Sequence, residues 1–243
     1  MAASAFYDRV RPLFPGGKLT AGQVDGLSRL LEASATLPLR HRAYVLATAQ
    51  HETAHTMQPV RETLAATDAS AINRLEAAWS KGRLPWVKTP YWRRDAEGKS
   101  WLGRGYVQLT HKANYVRASQ KLGVDLVTDP NAAMNPDVAA RILVRGMVEG
   151  WFTGRKMADF ATFEDMRRVV NGTDRAADIA RLARGYEAAL LAAEGSAPPA
   201  PKPAPAVPSA PAPTPAVPAA SAPLGWLLAA AVIAVILYVI LKG

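Results

Sequence analysis

The chain has 243 residues, and its 29 basic and 20 acidic side chains give a formal net charge of +9. It contains no cysteine, which excludes disulfides, a cysteine nucleophile and cysteine-ligated metals. A basic chain favours anionic partners such as nucleic acid, a membrane surface or an acidic wall polymer. The first residues contain no apolar stretch of the kind found in signal peptides, so we expect no such leader.

Composition divides the chain into three parts. All 20 acidic and 27 of the 29 basic residues lie in residues 1–194, where 27 − 20 gives +7, and we expect one folded domain there. Residues 195–223 hold 11 of the 19 prolines, which predicts a proline-rich linker. Residues 224–241 form an uncharged apolar run of 18 residues, long enough for a transmembrane helix.

The first part is predicted to be mainly helical. Apolar spacing and capping signals predict helices at about 20–35, 39–56, 69–79, 115–122, 137–149, 163–170 and 174–194. Bulky and polar side chains alternate from Tyr106 to Thr110, which predicts a short strand with Tyr106, Gln108 and Thr110 on one face. The fold class is therefore mainly α with a small β element.

Aromatic and basic residues are interleaved between the third and fourth of these helices. The aromatic residues are Trp86, Tyr91, Trp92 and Trp101. Such a segment either stacks on sugar rings or forms a small core of its own, and the sequence leaves both interpretations open.

Two glutamates around the end of the second predicted helix are candidates for catalysis. In one interpretation, His51, Glu52 and His55 form the pattern of a zinc peptidase, with a third ligand such as Glu76. In the other, Glu52 and Glu62 are the acid and base of a glycosidase, one on a helix and one on the following loop.

Three blocks of sequence carry a resemblance that favours the second interpretation. They are His51-Glu52-Thr53 with Met57-Gln58-Pro59-Val60-Arg61-Glu62, then Gly103-Arg104-Gly105-Tyr106-Val107-Gln108-Leu109-Thr110 with Asn114-Tyr115, then Arg168-Val169-Val170-Asn171-Gly172. Together they resemble glycoside hydrolase family 19, which includes plant-type chitinases and many phage endolysins. The resemblance covers most of residues 1–194. The family often has a small residue at the position of His55, so the zinc-like pattern is interpreted as accidental. The missing cysteines point to the bacterial or phage branch.

The resemblance implies a lysozyme-like fold and an inverting hydrolysis of β-1,4-linked glycans, with no metal and no other cofactor. It implies that Glu52 is the general acid, with a pKa raised by partial burial, that Glu62 is the base, and that Thr110 helps to hold the attacking water. The implied sugar-binding residues are Gln108, Asn114 and Asn171, with Tyr106, His51 and Arg61 as further binding or positioning residues.

The sequence thus predicts a membrane-tethered endolysin at the host inner (cytoplasmic) membrane that acts on peptidoglycan or a chitin-like glycan. Its partners would be the wall glycan, the bilayer through residues 224–241 and possible holin-type release partners, and not nucleic acid. Besides the zinc peptidase, two alternatives stay open. One is a non-catalytic, membrane-anchored wall-binding module, and the other is a lytic transglycosylase, which manages with one carboxylate.

Overall fold

A computed structural model describes residues 3–195, and the predicted linker and transmembrane segment lie outside the described residues. The described part is mainly helical, as predicted. Its α-helices are α1 (Ala3–Val10), α2 (Ala21–Ala33), α3 (Leu39–Glu52), α4 (Asp68–Ser80), α5 (Lys112–Leu122), α6 (Pro136–Glu149), α7 (Phe163–Met166) and α8 (Ala176–Gly195). Among residues 3–195, no helix combines the length and apolar character that crossing a bilayer requires.

Local sequence signals explain where several of these helices begin and end. Thr20 caps α2 through a capping box with Gln23, as a threonine three residues before a glutamine favours. Helices α5 and α6 end at Gly123 and Gly150, whose φ angles are 65° and 76°. These left-handed conformations suit glycine, which has no Cβ to clash.

Helix α3 lies at the centre of the domain. All of its side chains from Arg42 to Gln50 are buried, because α3 packs against α8 and also contacts α2 and α6. A helix that is apolar on most of its circumference is stable only when other elements surround it. The interior position of α3 fixes its last residue, Glu52, against the neighbouring elements.

The predicted end of the second helix is wrong. Helix α3 ends at Glu52 and not near Thr56, because Ala54, His55 and Met57 have positive φ angles of 48°, 66° and 54°. Such angles lie outside the right-handed helical region.

The predicted strand from Tyr106 to Thr110 is also wrong. The strands are β1 (Val60–Arg61) and β2 (Arg104–Gly105), which pair antiparallel with Val60 opposite Gly105. After β2 the chain turns back, with Gln108 at a φ of 53°, and Leu109 pairs with Arg104. The alternation of side chains comes from this tight turn and not from an extended strand.

A smaller core lies beside the main one, between α4 and the loop that follows it. It includes Leu75, Leu84, Trp92 and Leu102, and Trp92 has no exposed surface. Trp101 is only 5% exposed and packs edge-on against Tyr115. For Trp92 the interpretation as a loop's own core is confirmed, whereas Trp101 belongs to the main core.

Candidate active site

The first candidate carboxylate, Glu52, ends α3 and forms a buried ion pair. Its side chain is 5% exposed, and Oε1 accepts a hydrogen bond of 2.6 Å from Nη1 of Arg167. Arg167 lies in the short 3₁₀ helix Arg167–Val169 and is 1% exposed. Its Nε donates to the backbone oxygen of Asp174 at 2.9 Å. A buried pair with this geometry holds both charges in one place, since removing either partner leaves an uncompensated charge.

The segment that leads from Glu52 to Glu62 is held against α2. Gln23 donates to the carbonyl oxygen of His55 at 2.9 Å, and Gln58 donates to that of Gly22 at 2.6 Å. Gly26 allows the closest approach, because a Cβ built on it would lie 1.8 Å from the carbonyl oxygen of Met57. Helix α2 therefore determines the path between the two glutamates.

The second candidate carboxylate, Glu62, is fully buried and meets neutral hydrogen-bond donors. Its Oε1 accepts from the hydroxyl of Tyr91, and its Oε2 accepts from the backbone N–H of Gly103 at 2.8 Å. The N–H of Glu62 donates in turn to the carbonyl oxygen of Gly103 at 2.8 Å. Burial raises the pKa of Glu62, and the two hydrogen bonds and the charge of Arg104 oppose that rise only in part.

Arg104 fixes the turn that carries Gly103. Its guanidinium is 1% exposed and donates to Tyr115 Oη at 2.8 Å, to the carbonyl oxygen of Ser100 at 3.1 Å and to the carboxylate of Asp68. A planar group with several donors can join side chain and backbone in this way. The donor to Glu62 is thereby placed by a rigid network.

Two predicted site residues, Gln108 and Thr110, lie beside Gly103. A Cβ built on Gly103 would lie 2.8 Å from Oε1 of Gln108 and 3.3 Å from Cγ2 of Thr110. Glycine at this position therefore permits the close approach of all three residues. Since Gly103 also bonds Glu62, the structure brings Glu62, Gln108 and Thr110 together.

Gln108 and Asn114 each present a buried oxygen without a hydrogen-bond partner in the described part of the chain. The Nε2 of Gln108 donates to the carbonyl oxygen of Val60 at 2.9 Å, while Oε1 has no partner. The Nδ2 of Asn114 donates to the carbonyl oxygen of Thr110 at 2.8 Å, while Oδ1 has no partner. Buried acceptors are normally satisfied, so these two oxygens are suited to accept from a ligand or from water.

Of the other predicted site residues, Asn171 and His51 lie near Glu52, whereas Tyr106 and Arg61 lie elsewhere. Asn171 is 6% exposed, and its N–H donates to the carbonyl oxygen of Arg167 at 2.9 Å, which puts it near Glu52. His51 also lies on the Glu52 side, and burial lowers its pKa. Tyr106 has no exposed surface, and burial raises its pKa to about 12. The guanidinium of Arg61 is used within the protein.

Three acceptors occupy the guanidinium of Arg61. Nε donates to Asp68 at 2.8 Å, Nη1 to the carbonyl oxygen of Ala66 at 3.1 Å, and Nη2 to the side chain of Asn131 at 3.2 Å. These bonds give Arg61 a structural role beside β1. The proposed roles of Arg61 and of the other predicted site residues in binding and catalysis stay predictions.

The geometry does not support the zinc interpretation. Helix α3 ends before His55, so His51 and His55 are not one helical turn apart on one face. The Nδ1 of His55 lies 3.0 Å from Nε2 of Gln50, and Glu76 is bonded by Arg93 and by Trp92. Residues 3–195 contain no cluster of three or more His, Asp or Glu side chains that could hold a metal ion.

Sequence reasoning missed Tyr91 and Arg167, which bond the two glutamates directly. Tyr91 belongs to the aromatic segment, and no sequence signal tied it to Glu62. Arg167 immediately precedes the block that begins at Arg168, and the sequence does not distinguish the two arginines. The structure does, because Arg168 is 55% exposed in its side chain whereas Arg167 is buried.

The solved structures that match the chain include two bacterial chitinases with low sequence identity. Chitinase C from Streptomyces griseus HUT6037 is 19% identical, with a TM-score of 0.48, over 79% of this chain and 76% of that one. A bacterial family 19 chitinase is 22% identical, with a TM-score of 0.45, over 79% of this chain and 94% of that one. No curated protein sequence matches the chain.

A family model described as "Chitinase class I" matches residues 43–157. This range includes Glu52, Glu62, Gln108 and Thr110, while Asn171 lies beyond it. The chain is a glycoside hydrolase. More particularly, residues 43–157 match the model of glycoside hydrolase family 19, so the resemblance seen in the sequence is confirmed over that range.

Proposed function

We propose that this glycosidase is an endolysin that hydrolyses β-1,4 bonds of bacterial peptidoglycan by an inverting mechanism. The observation that carries the proposal is the placement of two buried glutamates, Glu52 at the end of α3 and Glu62 against Gly103, within one family 19 domain. Inverting glycosidases use two carboxyl groups roughly 6.5–9.5 Å apart, with room for a water between one of them and the sugar.

In this mechanism Glu52 protonates the oxygen of the leaving sugar. Its Oε1 is bonded to Arg167, so the proton would be delivered from the second oxygen, Oε2. The hydrogen bond from Arg167 would hold the protonated carboxyl group in place, and the ion pair would form once the proton has passed to the leaving oxygen. Positioning of this kind is what makes a general acid effective.

Glu62 would take the proton from the attacking water. Burial raises its pKa above the ordinary value, so its ionised form is a stronger base than an ordinary carboxylate. Thr110, on the other side of Gly103, would help to hold that water. The unpartnered oxygens of Gln108 and Asn114 would accept hydrogen bonds from hydroxyl or amide groups of the sugar.

The choice of substrate and the location at the membrane are both inferred from the sequence. The Met57–Glu62 block resembles the endolysin branch, and this favours peptidoglycan over chitin. Residues 195–223 would tether the domain to the bilayer through residues 224–241, at the host inner membrane, with a holin-type partner for release. If this is so, the full chain sediments with membranes and resists extraction by carbonate. A full chain that stays soluble without detergent contradicts the tether.

The complete burial of Glu62 favours a second candidate, a lytic transglycosylase. Both carboxylate oxygens of Glu62 are occupied by protein donors, so Glu62 could serve only to hold the turn at Gly103. A transglycosylase would then use Glu52 alone.

Mass spectrometry of the products from purified peptidoglycan tests the proposal. The full chain should release fragments with new reducing ends, and the anomer formed first should be inverted. Anhydro ends would show the transglycosylase, and free peptides or amines would show a peptidase or amidase. Glu164→Gln, which changes a surface carboxylate that pairs with Arg184, is the matched control and should give the same products at the same rate.

A further inference from the structure

A groove lies on the surface where α5, the end of α6 and the following loop meet. Its volume is about 550 Å³, within the range of sites that hold small ligands. Its lining includes Arg117, Lys121, Val148, Glu149, Trp151 and Lys156. None of these residues has a part in the proposed cleavage of the glycosidic bond.

The groove carries an excess of positive charge. Glu149 is the one acidic side chain among its lining residues, and its carboxylate is already bonded. One oxygen accepts from Arg145 at 2.8 Å, and the other accepts from Nε1 of Trp151 at 2.9 Å and lies 3.5 Å from Nζ of Lys121. These contacts lower the pKa of Glu149 although burial opposes them, so it stays ionised. The positive side chains still outnumber it.

Part of the cationic lining is fixed in place. Arg117 donates from Nη1 to the carbonyl oxygen of Trp151 at 2.6 Å, which ties α5 to the loop after α6. Arg145 lies over the ring of Trp151, 5.6 Å from its centroid. Lys121 and Lys156 are exposed, and Lys121 also lies 3.5 Å from Glu149. A fixed wall with two exposed cations is suited to an anionic group.

The groove continues a line of residues that starts in the proposed sugar-binding region. Asn114, Arg117 and Lys121 are three and seven residues apart on α5, so they share one face of the helix. The rise from Asn114 to Lys121 is about 10 Å. Asn114 donates to the carbonyl oxygen of Thr110, and the line therefore runs from the candidate active site to the groove.

We propose that this groove binds carboxylates of the peptide stems on the peptidoglycan glycan while the sugars lie at Asn114. The inference rests on the proposed function. Chitin has no acidic substituents, whereas peptide stems carry carboxylates at intervals along the glycan. Lysine and arginine recognise carboxylates through charge-assisted hydrogen bonds. The groove would thus give the enzyme a preference for glycan strands that bear peptides.

Direct binding to two matched glycans tests this inference. The probes are soluble peptidoglycan oligomers with their peptide stems and the same oligomers after an amidase has removed the stems. The protein is the full chain in detergent with Glu52→Gln, which prevents cleavage. The test variant adds Lys121→Ala and Lys156→Ala. The control adds Lys18→Ala and Lys81→Ala, two exposed lysines outside the groove, so both variants lose the same charge.

We expect the parent protein to bind the stem-bearing oligomer more tightly, and the test variant to bind it about five- to tenfold more weakly, as two partly exposed charge contacts warrant. The control should stay within about twofold of the parent, and raising the salt concentration should reduce the preference. Equal losses in the test and control variants, or no loss in either, overturn the inference.

Three further results distinguish this inference from the proposed function and from a phosphate ligand. If the parent cuts peptidoglycan but binds both oligomers equally, the groove proposal fails while the proposed function stands. If the active chain does not cut peptidoglycan, the proposed function itself fails. A phosphate-rich wall polymer that displaces the stem-bearing oligomer only when Lys121 and Lys156 are present would assign the groove to phosphate and overturn the carboxylate assignment.

Discussion

The two glutamates of the candidate active site are almost equally buried, yet their partners differ. Glu52 meets a guanidinium, that of Arg167, whereas Glu62 meets a phenol and a backbone N–H. Burial without a bonded counter-charge raises the pKa of Glu62. The partner of a buried carboxylate, and not its depth alone, therefore decides how well its charged form is compensated.

The largest effect is expected at the Glu52 side. Glu52→Gln keeps the shape of the side chain but removes the proton of the general acid, so cleavage of purified wall should fall by at least ~10²-fold. The rate is measured as new reducing ends, with circular dichroism as a check that the variant is folded. A folded variant with nearly the original rate would remove Glu52 from the mechanism.

At the Glu62 side, Glu62→Gln should also lower the rate by about 10²-fold, because an inverting enzyme needs a base to activate water. The same product assay checks this. An active variant whose products carry anhydro ends would instead support the transglycosylase and a structural role for Glu62.

The Glu62→Gln variant should also differ from the wild type in how its free energy of unfolding depends on pH. Because the pKa of Glu62 is raised in the folded state, the folded protein binds a proton more tightly than the unfolded chain. Its contribution to stability is therefore greatest at low pH and is lost as the pH rises above the ordinary value of 4.5. Urea unfolding should show the wild type losing stability relative to Glu62→Gln over that rise, and parallel curves would contradict this.

A smaller effect is expected when only the partner of Glu62 is changed. Tyr91→Phe removes a hydrogen bond that lowers the pKa of Glu62, so that pKa should rise further. The base must be ionised, hence the acidic limb of the kcat/KM profile should move to higher pH, with a roughly tenfold loss on that limb. Tyr7→Phe, whose hydroxyl bonds Ser28 near the surface, is the control and should leave the profile unchanged.

The smallest effect is expected at His55, which lies between the two glutamates in sequence. His55→Ala removes the contact with Gln50 but no reacting group, so the rate should stay within a few-fold. Chelators such as EDTA should have no effect. Loss of activity by either treatment, with recovery on adding zinc, would favour the peptidase that the local pattern first suggested.

The sequence predicted the helical frame well, because capping and periodicity are local properties. Thr20 and Gly123 marked helix ends that the structure has. It did not predict the end of α3, because positive φ angles at Ala54 and His55 depend on how the next segment packs on α2. The sequence also predicted a strand where the chain turns after Gly105, because the positive φ angles of Gly105 and Gln108 are not visible in the pattern of side chains.

The residues of the candidate site likewise divide into those that the sequence predicted and those that it did not. Glu52, Glu62 and Gln108 were found from the family blocks, since those residues are close in sequence to recognisable patterns. Tyr91 and Arg167 were missed because their contacts join positions 29 and 115 residues apart. Such contacts depend on the packing of whole elements, and no local signal reports them.

Gly26 has a consequence for how this enzyme can be altered. A side chain at this position would meet the backbone at Met57 and push the segment between the glutamates away from α2. Inverting and retaining glycosidases differ by only a few ångströms in the separation of their carboxyl groups, roughly 6.5–9.5 Å against 5–5.5 Å. A library of substitutions at residue 26 therefore samples the spacing of the reacting groups, although it changes a helix that contributes neither of them.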